Sequence, residues 1–274
     1  MWSRLLFGMA VAMVAAQVMA ATSTADHDHH DWSALLGRHV HWIDDGANTQ
    51  VDYQGFKGDA KALTGYLERL AAVDMPTFLA WSKAERNAFL INAYNAWTVA
   101  LILEHYPEID SIREIGGWFS SPWKQRFVEL LGETRTLDEV EHELLRGAAD
   151  FDEPRIHFAV NCASIGCPAL RPEAYRAAEL DEQLEDQARR FLGDRSRNSL
   201  VRVGRDLTVS PLFRWYQEDF VAPGAALPAP RGFLAIYADT LATTPAEAAR
   251  IRAGDYRLRY TRYDWSLNDD RTRP

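Results

Sequence analysis

Residues 82–105 read SKAERNAFLINAYNAWTVALILEH. Ser82 and Glu85 form a capping box, and the segment runs to His105, just before Pro107, so the pattern predicts one long helix. Phe89, Leu90, Ile91, Tyr94, Trp97, Val99, Leu101, Ile102 and Leu103 make it apolar nearly all round, which places it in the interior. Asn92, Asn95 and Thr98 interrupt the apolar surface at three-residue spacing. Each of these must meet something polar inside, because an unpartnered buried amide costs about 1–3 kcal/mol. They either tie neighbouring loops to the core or line a cleft in which Asn92 or Asn95 orients a catalytic group.

Other elements can be read outward from this helix. Residues 58–73 have helical spacing, and 127–136, centred on Gly132, read as a hairpin. Thr136 and Glu139 form a second capping box, whose helix reaches Gly147 and carries Glu141 and His142. Residues 155–161 alternate as a strand would, with Arg155, His157 and Asn161 on one face. Leu180, Leu184, Ala188 and Phe191 mark a helix, and residues 201–209 a hairpin around Gly204. A short helix carries Phe213, Trp215 and Tyr216, and residues 256–265 form a last strand. Helices lead and hairpins follow. The expected class is α+β, a helical N-terminal half packed on an antiparallel sheet built from C-terminal hairpins.

The 274 residues begin with Met1-Trp-Ser-Arg4, an uncharged apolar run from Leu5 to Gln17, and small residues at Val18 and Ala20. Residues 1–20 read as a secretory signal peptide, too short an apolar run to span a bilayer. Residues 21–31, with His27, His29 and His30, read as a flexible His-rich linker, or else as a collector of transition metals. Residues 32–274 read as one globular domain. The expected location is periplasmic or secreted, with no membrane span after the leader is removed. Lys and Arg number 30 against 39 Asp and Glu, a net charge of −9, which gives no reason to bind nucleic acid. Two cysteines exclude a disulfide-rich scaffold and a four-cysteine metal centre, and no HExxH-type spacing supports a metal. No cofactor is expected.

Chemistry concentrates in Cys162-Ala-Ser-Ile-Gly-Cys167, just past the segment that carries His157. In an oxidising compartment the two cysteines can close a disulfide. Alternatively Cys162 is a free nucleophile, which then needs a base. If residues 157–162 are extended, His157 lies about 16 Å from Cys162 on the opposite face, which favours His142 as the base. A sharp turn after Asn161 would reverse that choice. Glu141 and His142 diverge by about 100° on an α-helix, so both cannot point at one atom.

Asn92-Ala-Tyr94-Asn95, residues 137–146, residues 154–162, residues 213–220 and Tyr263-Asp264-Trp265 together resemble the family catalogued as domain of unknown function 547, from about Val51 to Asn268. That family occurs in exported bacterial proteins and in plant proteins with an added coiled coil, and carries no established activity. The resemblance implies that the Cys162 position is commonly cysteine and the Cys167 position often not, which favours Cys162 acting alone. A looser similarity in layout is to papain- and transglutaminase-type thiol enzymes. The order of central helix, His157 segment and Asp264 segment fits them, but the helix carries Asn92 and Asn95 where those enzymes keep their cysteine.

The site expected from sequence therefore comprises Cys162, His142, His157, Asn92 and Asn95. One function is a cysteine-dependent hydrolase or acyl transferase of the cell envelope. The alternative is a non-catalytic module, closed by a Cys162–Cys167 disulfide, that binds a peptide, glycan or small molecule.

Overall fold

The computed structural model describes residues 26–116, 120–147, 151–200 and 205–272; the expected signal peptide lies outside them. Helix α1 (His30–His39) leads into the hairpin β1 (Val40–Ile43) and β2 (Asn48–Val51), paired Val40 to Val51. Helices α2 (Tyr53–Gly58), α3 (Ala60–Ala71) and α4 (Met75–Leu79) then surround α5 (Lys83–His105). Helix α1 begins inside the segment 21–31 expected to be a linker, of which residues 21–25 lie outside the described residues. His29 is buried and hydrogen-bonded to the Tyr66 hydroxyl at 2.7 Å, and burial lowers its pKa to about 4.

Both halves of the Ser82–Glu85 capping box form, and α5 runs the full length expected of it. The hairpin β3 (Val128–Leu130) and β4 (Glu133–Arg135) turns through Leu131 and Gly132, both at positive φ, as a two-residue turn between twisted strands demands. The second capping box opens α6 (Leu137–Glu139), which passes directly into a π-helix, Val140–Leu145. The wider turn puts Leu145, rather than Leu144, fully into the core.

Residues 155–161 depart from the expected strand. Pro154–Phe158 is a 3₁₀ turn, in which Ile156, His157 and Phe158 are all buried. Pro154 starts it with a φ suited to helix, and the Glu153 carboxylate accepts from the Arg155 amide at 3.1 Å. The Arg155 guanidinium is clamped by Glu153, Asp181 and Glu185. The distance argument against His157 therefore fails.

Helix α7 (Leu180–Gly193) is followed by β5 (Ser199–Leu200), β6 (Asp206–Val209), the short helices α8 (Leu212–Trp215), α9 (Arg231–Ile236), α10 (Ala238–Leu241) and α11 (Pro245–Arg252), and β7 (Arg257–Tyr260). The class is α+β, but the described strands form three small sheets instead of one antiparallel platform. β6 pairs antiparallel with β5 and parallel with β7, because α8 to α11 form the long crossover that parallel pairing needs. The last strand ends at Tyr260, short of the expected Trp265.

Among the described residues the core forms two clusters, one around α5 and one around Phe158, Phe213, Phe220 and Phe233. The 3₁₀ turn joins them, since Ile156 and Ala159 belong to the first and Phe158 to the second.

Candidate functional site

A cavity of about 160 Å³ opens at the seam between the clusters. Tyr94 of α5, Glu141 and His142 of the π-helix, His157 of the 3₁₀ turn, and Cys162 and Cys167 form its inner wall. Tyr216, Trp215, Tyr263 and Trp265 line it further, with Trp215 44% exposed. Of the residues expected from sequence, His142, His157 and Cys162 meet here. Glu141 also lines the wall beside His142. The segment is a π turn, in which the Arg146 amide reaches back five residues to the Glu141 carbonyl at 3.0 Å, and both residues line the cavity without converging on one atom.

Asn92 and Asn95 do not line the cavity; they tie loops to the core. The Asn92 side chain donates to the Tyr175 carbonyl at 2.7 Å and accepts from the Tyr175 amide at 3.0 Å. The Asn95 side chain donates to the Ala159 carbonyl at 3.0 Å and accepts from the Asn161 amide at 2.8 Å. Asn95 thereby sets the entry into the cysteine loop. Replacing either with Leu is expected to cost about 1–3 kcal/mol, because buried backbone groups lose their partners. Equilibrium urea denaturation checks this, and an unchanged midpoint in both variants would contradict it.

Asn161 continues the frame by donating to the Pro168 carbonyl at 2.7 Å and accepting from the Ala163 amide at 2.9 Å. Ala163 has φ 57°, so the chain does make the sharp turn after Asn161. The loop then pairs with the C-terminal segment: the Ile165 amide bonds the Ser266 carbonyl and the Gly166 amide the Asp264 carbonyl, both at 2.8 Å. A side chain at Gly166 would meet the Asp264 carbonyl oxygen at 2.8 Å, so the close approach requires glycine. This pairing carries Tyr263 to the thiol.

Both cysteines are free, so the Cys162–Cys167 disulfide is not the state of this structure. The Cys162 thiol lies 3.2 Å from the Ser164 hydroxyl and 3.2 Å from the Tyr263 hydroxyl, while Cys167 Sγ accepts from the Cys162 amide at 2.8 Å. Burial alone would raise the Cys162 pKa, but hydrogen bonds from Cys167, Ser164 and Tyr263 outweigh it and bring the thiol below its ordinary value of 9.0. Burial, and then the neighbouring Cys162 sulfur, push Cys167 the other way. One cysteine is poised to ionise and the other to stay a thiol.

The two histidines are held as opposite tautomers. His157 Nε2 lies 2.7 Å from Asp219 Oδ2, which also receives Arg146 Nε at 2.5 Å. Burial opposes the ionised form of Asp219, yet the bonds from His157 and Arg146 win and hold its pKa near 2. Asp219 therefore only accepts, so His157 Nε2 carries the proton. Burial lowers the His157 pKa, which keeps the ring neutral and leaves a lone pair on Nδ1. That atom is buried and has no protein partner. His142 Nδ1 lies 2.5 Å from Arg146 Nη1; arginine can only donate, so Nδ1 accepts and the proton sits on Nε2. His157 is built as a base and His142 as a donor. The Asp264 expected from the papain-type layout is exposed, where its carboxylate accepts from the Ser266 amide. Asp219 fills the orienting role instead.

Residues 78–192 match the family model described as protein of unknown function, DUF547. The matched stretch contains Glu141, His142, Arg146, His157 and both cysteines; Asp219 and Tyr263 fall beyond it. No curated protein and no solved structure matches the chain.

Proposed function

We propose that this chain, which carries the DUF547 region at residues 78–192, is an exported cysteine-dependent hydrolase or acyl transferase acting on an amide or ester. The observation that carries the reading is the pairing, in one cavity, of a partly exposed thiol biased toward ionisation with a neutral imidazole whose far nitrogen is fixed by an acid. The Cys162 sulfur attacks the carbonyl carbon, and its proton passes to His157 Nδ1. The thioester forms as the C–N or C–O bond breaks, and the leaving group takes the proton from His157. Water, or a second nucleophile in a transferase, then cleaves the thioester. Asp219 holds the His157 tautomer and offsets the imidazolium charge. His142 Nε2–H is the donor available to the developing oxyanion, since the Tyr216 hydroxyl is engaged by the Glu141 carboxylate. Tyr216 stays protonated, because burial and the nearby Glu141 carboxylate raise its pKa.

Among the described residues no hydrogen bond joins the thiol to either imidazole. Free enzymes commonly close that contact only around substrate. The leader at residues 1–20 supports export and an envelope substrate.

The test is the rate of Cys162 alkylation by iodoacetamide against pH, with the site confirmed by peptide mapping. The wild-type rate is expected to titrate below the ordinary thiol value of 9.0, and Tyr263→Phe, which removes one donor to the sulfur, to move it upward. Titration at or above the ordinary value would overturn the reading. So would a thiol that reacts only after reduction, which would favour the disulfide-closed binding module.

A further inference from the structure

Two carboxylates of the cavity, Glu141 and Asp138, take no proton and contact no reacting atom in the chemistry above. Glu141 is 6% exposed, and its Oε1 is buried without a protein partner. Asp138 is half-buried on the same wall. A carboxylate taken out of water needs a donor or a counter-charge. The donor to Glu141 in the protein is the Tyr216 hydroxyl, and its neighbouring cation is Arg146, which it shares with Asp219. Lys124, which faces Asp138, is an exposed surface residue. Among the described residues, no Lys or Arg lines the cavity.

The remaining wall is aromatic. Tyr263 and Trp265 lie with ring centres 4.4 Å apart, and Trp215 stacks on Trp265 at 5.9 Å. Aromatic faces attract cations, most strongly where water is excluded. Arg146 is shared between Asp219 and Glu141, and Asp138 adds a further carboxylate, so the acidic floor outnumbers its cation. The aromatic wall already takes one guanidinium, Arg113 over the Trp265 ring at 5.3 Å. Floor and wall together favour a positive group and disfavour a negative one. The orphaned Oε1 adds a requirement for an N–H donor. A primary ammonium supplies three and a quaternary ammonium none.

We infer that the cavity recognises a primary ammonium group on the substrate, held by the Glu141 carboxylate and enclosed by the Trp215, Tyr263 and Trp265 rings beside the Cys162 sulfur. The inference rests on the thiol chemistry proposed above and narrows its substrates to amides or esters that carry an amine close to the scissile carbonyl.

The test compares methanethiosulfonate reagents of equal reactive group on the full folded protein, scoring only Cys162 by peptide mapping. Rates are taken relative to the neutral methyl reagent and normalised to free cysteine. The 2-aminoethyl reagent is expected to be favoured about tenfold, the 2-sulfonatoethyl reagent disfavoured about tenfold, and the 2-(trimethylammonio)ethyl reagent to fall below the aminoethyl one. Glu141→Gln is expected to reduce the aminoethyl preference to about twofold or less. Protection of the wild-type protein from iodoacetamide by ethylammonium chloride, but not by sodium acetate at the same ionic strength, reads the same site without any variant.

Normalised rates equal to those of free cysteine, a preference unchanged in Glu141→Gln, or equal protection by the two salts would overturn the inference. A trimethylammonio reagent as fast as the aminoethyl one would overturn the hydrogen-bonded ammonium. The absolute rate of the neutral reagent reads the activation of the thiol alone, so failure of the thiol chemistry and failure of cation recognition give different results.

Discussion

Replacing Phe158 with Ala is expected to destabilise the protein by about 3–5 kcal/mol, the range for a large aromatic removed from a packed core. Phe158 is fully buried, with ring centres of Phe191 at 5.0 Å, Phe220 at 5.7 Å, Phe213 at 6.0 Å and Phe233 at 6.1 Å. No single neighbour can fill the void, because each ring is held by others: Phe213 and Phe220 pack at 4.6 Å, and Phe220 and Phe233 at 5.0 Å. In a chain of this size each kcal/mol moves the melting temperature by about 2–4 °C, so a fall of about 10 °C is the expected readout. Trp215→Ala is the control. That ring is 44% exposed at the cavity rim, and among the described residues its ring contacts are Tyr263 and Trp265. Its loss is expected to cost about 1–2 kcal/mol, well below the Phe158 effect. A Phe158→Ala variant as stable as Trp215→Ala would mean that the second cluster is not packed around this ring.

Phe158 also shows why part of the site could not be read from sequence. The segment 155–161 alternates apolar and polar residues, and a short alternating run does not separate a strand from a buried 3₁₀ turn. The context is tertiary: the turn buries Ile156, His157 and Phe158 between the two core clusters, and Arg155 pairs outward with Asp181 and Glu185 of α7. The elements that were legible carry their own local signals, such as the capping boxes at Ser82 and Thr136 and the Gly132 turn. The π-helix has no such signal in the sequence, and it leaves Leu145 buried in the core.

The missing partners are distant in the chain. Asp219 stands 62 residues from His157, and Tyr263 stands 101 residues from Cys162. Sequence placed Cys162 and both histidines at a candidate site because reactive residue types stand out in an otherwise ordinary composition. It ranked His142 above His157 on the length of an extended 157–162 segment that the 3₁₀ turn removes, whereas the ranking depends on which nitrogen each neighbour occupies.

That ranking leads to the second large effect, on acylation of Cys162 by p-nitrophenyl acetate, followed as release of p-nitrophenolate and as a thioester on the Cys162 peptide. His157→Ala is expected to slow acylation about 100-fold or more, the lower end of what a positioned base contributes. Asp219→Asn should slow it too, because an amide can offer its NH₂ group to Nε2, stabilise the wrong tautomer and place the proton on Nδ1. His142→Ala removes a donor and leaves the base intact, so its loss is expected to be smaller, about tenfold. The pH profile carries the sign of the assignment. His157 acts only when neutral, and burial holds its pKa below the ordinary 6.5. The base-dependent rate is therefore expected to stay on its plateau as pH falls through 6.5 and to decline only at lower pH, where the ring gains its second proton. Asp219, held near 2, remains ionised throughout that window and keeps the tautomer in place. If His142→Ala proved more damaging than His157→Ala, or the rate fell with a midpoint at or above 6.5, the base would be the exposed imidazole on the π-helix, and the His157–Asp219 pair would be a structural bond between the two core clusters.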